Sequence, residues 1–214
     1  MKKSAIILIS FFIVSCITIN KMPNRLNDDG TSNLNEEKSK RIHEFGTYFG
    51  KFSTDTIRYH FETLNSENIR TLSQMSKYSW FIIHAPWCPH SGVIILRNSR
   101  RFSMNLDSLY NIKLYSVSQS YDIENVQKIL YKNNRVKADT YILDSRELGT
   151  KEEMKMTNLC NNLFGPIKEW SNGSPQSFVV DKHMNLVMYK RGDKTNLDTV
   201  LNYIKIYEKQ QKND

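Results

Sequence analysis

The residues best suited to chemistry stand together in the segment Trp87-Cys88-Pro89-His90-Ser91. A continuous apolar run before the segment predicts a buried strand, and the pattern after it predicts a helix. A cysteine at a helix N-terminus lies beside unpaired backbone N–H groups and the positive end of the helix dipole, which both favour thiolate over thiol. A protonated His90 would stabilise the thiolate further, and Trp87 would shield one side of the sulfur. The pattern predicts a nucleophilic thiol at Cys88.

Alternating strands and helices must position this segment. Apolar runs and period-two patterns predict strands, and three- to four-residue periodicity predicts helices. Such an order, closed by a hairpin and a last helix, indicates an α/β fold with a mixed central sheet flanked by helices. The predicted strands are 80–83, 112–117, 140–143, 177–180 and 186–189, and the predicted helices are 64–77, 91–109, 123–130, 152–164 and 196–207.

Several of these features together resemble the thioredoxin-like superfamily. Residues 85–88, Ala-Pro-Trp-Cys, match the start of its active site, and Cys-Pro-His is similar to the motif of strongly oxidising periplasmic members. Ser174-Pro175 precedes a predicted strand, as the family's cis-proline does, and Gly192 follows at a similar spacing. The resemblance implies a thioredoxin-like fold in which Pro175 and the backbone of Ser174 hold an extended partner beside Cys88.

The stretch between Cys88 and Pro175 is longer than in a minimal thioredoxin. Its extra length resembles the insertion, before the cis-proline, of membrane-anchored TlpA-like members. Two residues depart from the family pattern. Ser91 stands where the resolving cysteine is expected, and Ile82 stands where many relatives place a buried acid. Because a second cysteine normally releases the mixed disulfide, an external thiol would have to do so here.

The leading functional hypothesis is thiol–disulfide exchange through one active-site cysteine. The resemblance assigns catalytic roles to Cys88, His90 and Ser91, and the substrate-binding residues would be Trp87, Ser174 and Pro175. The partners would be exported proteins or low-molecular-weight thiols and disulfides, and no cofactor or metal is implied. The main alternative is a redox-inactive binding module with the same fold. A peroxidase is a third reading.

Two further residues have ordinary structural explanations. Cys160 falls beside apolar residues of a predicted helix, so a buried structural thiol is expected, with a resolving role as the less favoured alternative. His84 comes late in the central strand, where a packed core histidine is expected rather than a metal ligand.

The N-terminus has the pattern of an export signal. Lys2 and Lys3 precede an apolar run over residues 5–14, which is too short to span a bilayer comfortably. The run ends at Ile-Val-Ser-Cys16, which resembles the lipobox of bacterial lipoproteins, and lipidation of Cys16 is therefore expected. The alternatives are an ordinary signal peptide or an uncleaved anchor. Either way, the rest of the chain would lie outside the cytoplasm, in the lipoprotein case anchored in the bacterial cell envelope and facing the periplasm or the exterior.

Composition limits the remaining classes. The chain has 214 residues, of which 39% are hydrophobic, and a formal net charge of +8. The charge is dispersed, so no nucleic-acid partner is expected. Three cysteines are too few for a disulfide-stapled scaffold. The expected divisions are a signal peptide (1–15), a flexible tether (16–41), an N-terminal extension (42–61), the thioredoxin-like domain (62–210) and a short tail (211–214).

Overall fold

A seven-stranded mixed sheet forms the centre of the described part of the chain. The computed structural model confirms the predicted α/β fold, in which helices lie on both sides of a mixed sheet. The residues that it describes are 31, 34–47, 60–86, 88, 109–126, 139–166, 175–192 and 195–212.

The strands run in two directions. In the order β1-β2-β5-β4-β3-β6-β7, the first five are mutually parallel, whereas β6 is antiparallel to β3 and β7 is antiparallel to β6. The carboxyl ends of five strands and the amino end of β6 therefore meet at one edge. The strands are β1 (Ile42–His43), β2 (Phe61–Leu64), β3 (Tyr78–His84), β4 (Ile112–Ser118), β5 (Asp139–Leu143), β6 (Gln176–Asp181) and β7 (Leu186–Arg191).

Helices begin and end at residues that suit those positions. Asn65 and Asn196 cap two helices by accepting a hydrogen bond from a backbone N–H in the first turn. Gly165 ends another helix with a φ of 84°, which glycine adopts at little cost. The helices are α1 (Glu36–Ser39), α2 (Ser66–Ser73), α3 (Ser145–Leu148), α4 (Glu152–Phe164) and α5 (Leu197–Gln210).

The sheet has an apolar core on each face. Because side chains alternate along a strand, Phe81 and Ile83 of β3 pack in the cluster that contains α2 and α4. Trp80 and Ile82 point the other way, into the cluster that contains α5. Burial on both faces explains why this strand is a continuous apolar run.

Most predicted elements within the described residues are confirmed, with small shifts of their ends. The prediction of a helix from Leu64 was wrong at its start, because Leu64 is the last residue of β2 and Asn65 caps the helix that follows. Strand β2 was missed because its four residues, Phe-Glu-Thr-Leu, are all buried and do not alternate in polarity. Residues 123–126 of the predicted helix 123–130 are helical, whereas residues 127–130 and nearly all of the predicted helix 91–109 lie outside the described residues.

The stretch predicted as an insertion before Pro175 contributes a central element of the sheet. Its strand, β5, lies between β2 and β4 in the sheet. Glu147 of α3 fixes the insertion to its neighbours, since one carboxylate oxygen accepts hydrogen bonds from Ser66 and Asn162. These contacts join α3 to the start of α2 and to α4.

Candidate redox site

Cys88 lies just beyond the carboxyl end of β3. Its backbone N–H donates to the carbonyl of Ala85 at 3.0 Å, which closes a turn directly after the strand. Ala85 is buried, whereas Cys88 is partly exposed. The strand and its turn therefore place the thiol at the edge of the sheet, where a partner from solvent can reach it.

Pro175 lies at the same edge of the sheet. It is buried and directly precedes β6, whose first residue, Gln176, pairs with Ile83 of β3. The antiparallel register therefore brings Pro175 to the end of β3 from which Cys88 follows. The carbonyl of Pro175 accepts the N–H of Gly192 at 2.8 Å, and Gly192 has a φ of 92°. That bond ties the proline to the end of the β6–β7 hairpin.

The structure places two of the residues proposed from the sequence, Cys88 and Pro175, at the same edge of the sheet. The others lie outside the described residues, and the roles of all seven stay predictions. The five outside the described residues are Cys16, Trp87, His90, Ser91 and Ser174.

His84, the last residue of β3, is a neutral core histidine, as expected. It is 1% exposed, and burial lowers its pKa to about 3. Its Nε2 lies 3.1 Å from the hydroxyl oxygen of Ser116 on the neighbouring strand. Its carbonyl accepts the N–H of Gln119 at 2.9 Å, which holds the loop after β4 beside the end of β3.

Ile82 is an apolar side chain at the position in β3 where the resemblance predicts a buried acid. The side chain is 1% exposed and belongs to the cluster with Trp80 and Val179. A carboxylate in such surroundings would be strongly disfavoured without a partner. The side chain at position 82 therefore contributes to the apolar core rather than to proton transfer.

Lys155 is a buried charge near this edge that the sequence analysis missed. It is 0% exposed, and its Nζ donates to the carbonyl of Gln119 at 3.0 Å. The same ammonium lies 5.0 Å from the centroid of the Tyr121 ring, within the range of a cation–π contact. A signal was available, because Lys155 stands four residues before the buried Leu159 and so falls on the inward face of α4. Lys155 fixes the loop that follows β4.

Cys160 has the opposite environment to Cys88. It is 0% exposed on α4, inside the core cluster with Leu159 and Phe81. Burial raises the pKa of its thiol to about 12, because the apolar surroundings disfavour the thiolate. The expectation of a buried structural thiol is confirmed. Both cysteines in the described residues are free thiols.

Neither a membrane span nor a metal cluster is found in the described ranges. No helix there is both long and apolar enough to cross a bilayer. Within the same residues, no three His, Cys, Asp or Glu side chains are grouped so that they could hold a metal ion.

Comparisons with known proteins find matches among solved structures. No protein-family model matches the chain, and no curated protein matches it. The thioredoxin domain of a thiol-disulfide oxidoreductase from Bacteroides vulgatus is 13% identical with a TM-score of 0.43, and the match covers 61% of this chain and 79% of that one. StoA from Bacillus subtilis is 14% identical with a TM-score of 0.40, covering 60% and 82%. A thioredoxin-related protein from Neisseria meningitidis serogroup B is 9% identical with a TM-score of 0.42, covering 63% and 87%.

The fold is thioredoxin-like. This assignment rests on the order and direction of the strands in this chain. The sequence identities are too low for the activities of the matched proteins to be assigned to it. Parallel strands lead to Cys88, an inserted strand joins the sheet, and an antiparallel hairpin and terminal helix follow Pro175. The described topology thus places a cysteine just beyond the carboxyl end of a central strand.

Proposed function

We propose that this protein exchanges thiols and disulfides through Cys88 as its single reactive cysteine. The observation that carries the proposal is the position of this thiol. It is partly exposed, follows a buried central strand and shares one edge of the sheet with Pro175. The Trp-Cys-Pro-His sequence supports the same conclusion, because a cysteine at a helix start favours the reactive thiolate.

The exchange consists of two substitutions at sulfur. The Cys88 thiolate attacks one sulfur of a partner disulfide, a new S–S bond forms, and the old S–S bond breaks. The second partner sulfur leaves as a thiolate and takes a proton from solvent or from a protonated His90. The thiolate of an external thiol then attacks the partner sulfur of the mixed disulfide, which releases Cys88 as a thiolate. Over the cycle, the partner disulfide is exchanged and Cys88 returns to its starting state.

The external thiol is needed because Ser91 occupies the position of a resolving cysteine. Cys160 does not take over that step, since its thiol is buried in the core on α4 and burial raises its pKa to about 12. The mixed disulfide at Cys88 is therefore long-lived. Suitable partners are exported proteins or small thiols, with an extended segment held by Pro175 and the backbone of Ser174.

We also propose that the chain is a lipoprotein of the bacterial cell envelope, anchored through Cys16. The order of two lysines, an apolar run and Cys16 supports this location. Several acyl chains on one cysteine give stable attachment, because each buried CH₂ contributes about 0.8 kcal/mol. Residues 17–33 would then act as a polar tether, which is shorter than the tether predicted from the sequence because residues 34–41 contact the folded part.

Non-reducing electrophoresis of membranes from cells that express the full chain tests the reaction. We expect adducts of higher mass that disappear with reductant and in Cys88→Ala. The matched control, Cys160→Ala, should retain them. Adducts that require Cys160, or none at all with a folded chain in the membrane, would contradict the proposal.

The same fractions test the anchor. In Cys16→Ala, the chain and its adducts should leave the membrane fraction, and a fatty-acid probe that labels the wild type should no longer label it. Retention and labelling that do not depend on Cys16 would exclude lipidation there.

A redox-inactive binding module is the second candidate. The apolar, fully packed Ile82 and the serine at position 91 favour it, because neither residue serves an exchange reaction. A partner that stays bound to Cys88→Ala with unchanged affinity, without covalent adducts in the wild type, would support this function.

A further inference from the structure

The docked segment, residues 34–47, is held against the outer edge of the sheet. Its strand β1 pairs with β2, and the carbonyl of Arg41 accepts the N–H of Phe61 at 2.8 Å. The side chains of Leu34 and Ile42 pack against a small apolar cluster of the folded part. The members of that cluster are Phe61, Tyr121, Ile123, Val126 and Ile142.

Two histidines join the docked segment to the start of β2. Nε2 of His43 lies 2.8 Å from Nδ1 of His60, and the rings stack with centroids 5.0 Å apart at 23°. A hydrogen bond between two imidazole nitrogens needs one N–H donor and one lone pair. When both rings are protonated, all four nitrogens are donors, so the bond is lost and two positive charges face each other.

We propose that the His43–His60 pair is a pH-sensitive latch, which holds the docked segment on the sheet at neutral pH and releases it when both rings become protonated. This inference does not depend on the chemistry of Cys88.

The charges around the pair determine the direction of the pH response. Burial lowers the pKa of His60, and the neighbouring His43 and Arg41 lower it further. Glu62 pairs with His43 in the β1–β2 register and carries the negative charge at that position of the neighbouring strand. The other charged groups on the elements around the pair are Glu36, Glu37, Lys38, Lys40, Glu44, Asp122, Glu124, Asp139, Asp144 and Arg146.

The sign follows from proton linkage. A histidine whose pKa is lower in the docked state binds fewer protons there, so acid favours the released state. Docking is strongest above about pH 6.5, the ordinary histidine value, and weakens as the pH falls below it. For one proton, the docking equilibrium falls by at most about tenfold between pH 7.5 and 5.5.

Two ion pairs also hold the same segment. Glu44 lies 2.9 Å from Arg146 of α3, and Lys38 lies 2.9 Å from Glu124. Carboxylates as a class titrate near pH 4, and three of the four side chains are more than half exposed, so each pair contributes at most about 1 kcal/mol. Between pH 7.5 and 5.5 the histidine pair is therefore the part of the contact that changes.

Release would alter both the edge of the sheet and the length of the tether. The backbone of β2 and the side chain of Phe61 would lose their cover, which leaves an unpaired strand edge. If the chain is anchored at Cys16 as proposed above, an extended segment would add at most about 50 Å of reach. The folded part could then work farther from the membrane in acid.

Hydrogen exchange of the full chain, kept reduced, tests the latch. The Phe61 amide should lose protection, by up to about tenfold, between pH 7.5 and 5.5, after correction for the intrinsic exchange rate. The double variant His43→Gln/His60→Asn keeps amide groups near the bonding nitrogens but does not titrate, so its protection should not change with pH. The matched control His183→Gln, on an exposed turn, should respond like the wild type.

Equal protection of wild-type Phe61 at the two pH values would overturn the latch, and so would an equal loss in the double variant. Should the double variant not fold, NMR titration of the wild-type imidazole C–H signals decides. The latch requires His60 to titrate below about 6.5, and two rings that titrate independently at the unperturbed value would refute it.

Discussion

Cys88 and Cys160 show how one residue type acquires two characters in a single fold. Cys88 follows a strand at the edge of the sheet and is partly exposed. Cys160 projects from a helix into the core and is 0% exposed. The first position offers a thiol to partners, and the second uses sulfur as a packing atom.

The comparison shows that the position of a cysteine in the fold, rather than its presence in the chain, defines the proposed redox site. The fold brings the carboxyl end of β3 and the amino end of β6 together, and Cys88 lies where they meet. The helix carrying Cys160 packs on the sheet through its apolar side chains. A second thiol in the same chain is therefore no substitute for a resolving cysteine beside the first.

The largest expected difference between the two positions is in the free energy of unfolding when each cysteine is replaced by serine. Cys160→Ser puts a hydroxyl into an apolar core, so we expect unfolding in urea to become easier by about 1–3 kcal/mol. Cys88→Ser changes a partly exposed side chain and should stay within about 0.5 kcal/mol of the wild type. Equal losses in the two variants would contradict the assigned environments.

The burial of the Cys160 thiol should also make the stability of the folded chain depend on alkaline pH, with a smaller effect. The Cys160 thiol has a pKa of about 12 in the folded chain and an ordinary value of 9.0, so the folded state holds its proton longer. Stability from this thiol is present below pH 9 and is lost as the pH rises above it. Between pH 8 and 10, the wild type should lose about 1.4 kcal/mol more than Cys160→Ala in urea unfolding. Parallel pH curves for the two chains would show that Cys160 ionises freely.

Local patterns predicted the central part of this fold well. The apolar run that becomes β3, the hairpin β6–β7 and helix α4 each carry a periodicity or turn signal that tertiary packing reinforces. The same signals placed Cys88 and Pro175 at the ends of strands. Their meeting at one edge followed from the resemblance, since period and spacing alone leave strand order open.

The features that the sequence did not predict depend on contacts between distant residues. Lys155 is buried because a loop carbonyl and an aromatic ring receive its ammonium, and neither partner is near it in sequence. The bond between His43 and His60 exists because β1 pairs with β2 across a long interval. Such side chains look like ordinary polar residues until the sheet order is known.

Competitive alkylation of the reduced, folded chain tests the central claim most directly. Iodoacetamide at pH 7.5, with the modified sites measured by mass spectrometry, should modify Cys88 at least about a hundredfold faster than Cys160 and faster than a free cysteine in the same tube. In urea the two cysteines should react at similar rates. The account is contradicted if Cys160 reacts as fast as Cys88 in the folded chain, or if Cys88 reacts no faster than free cysteine.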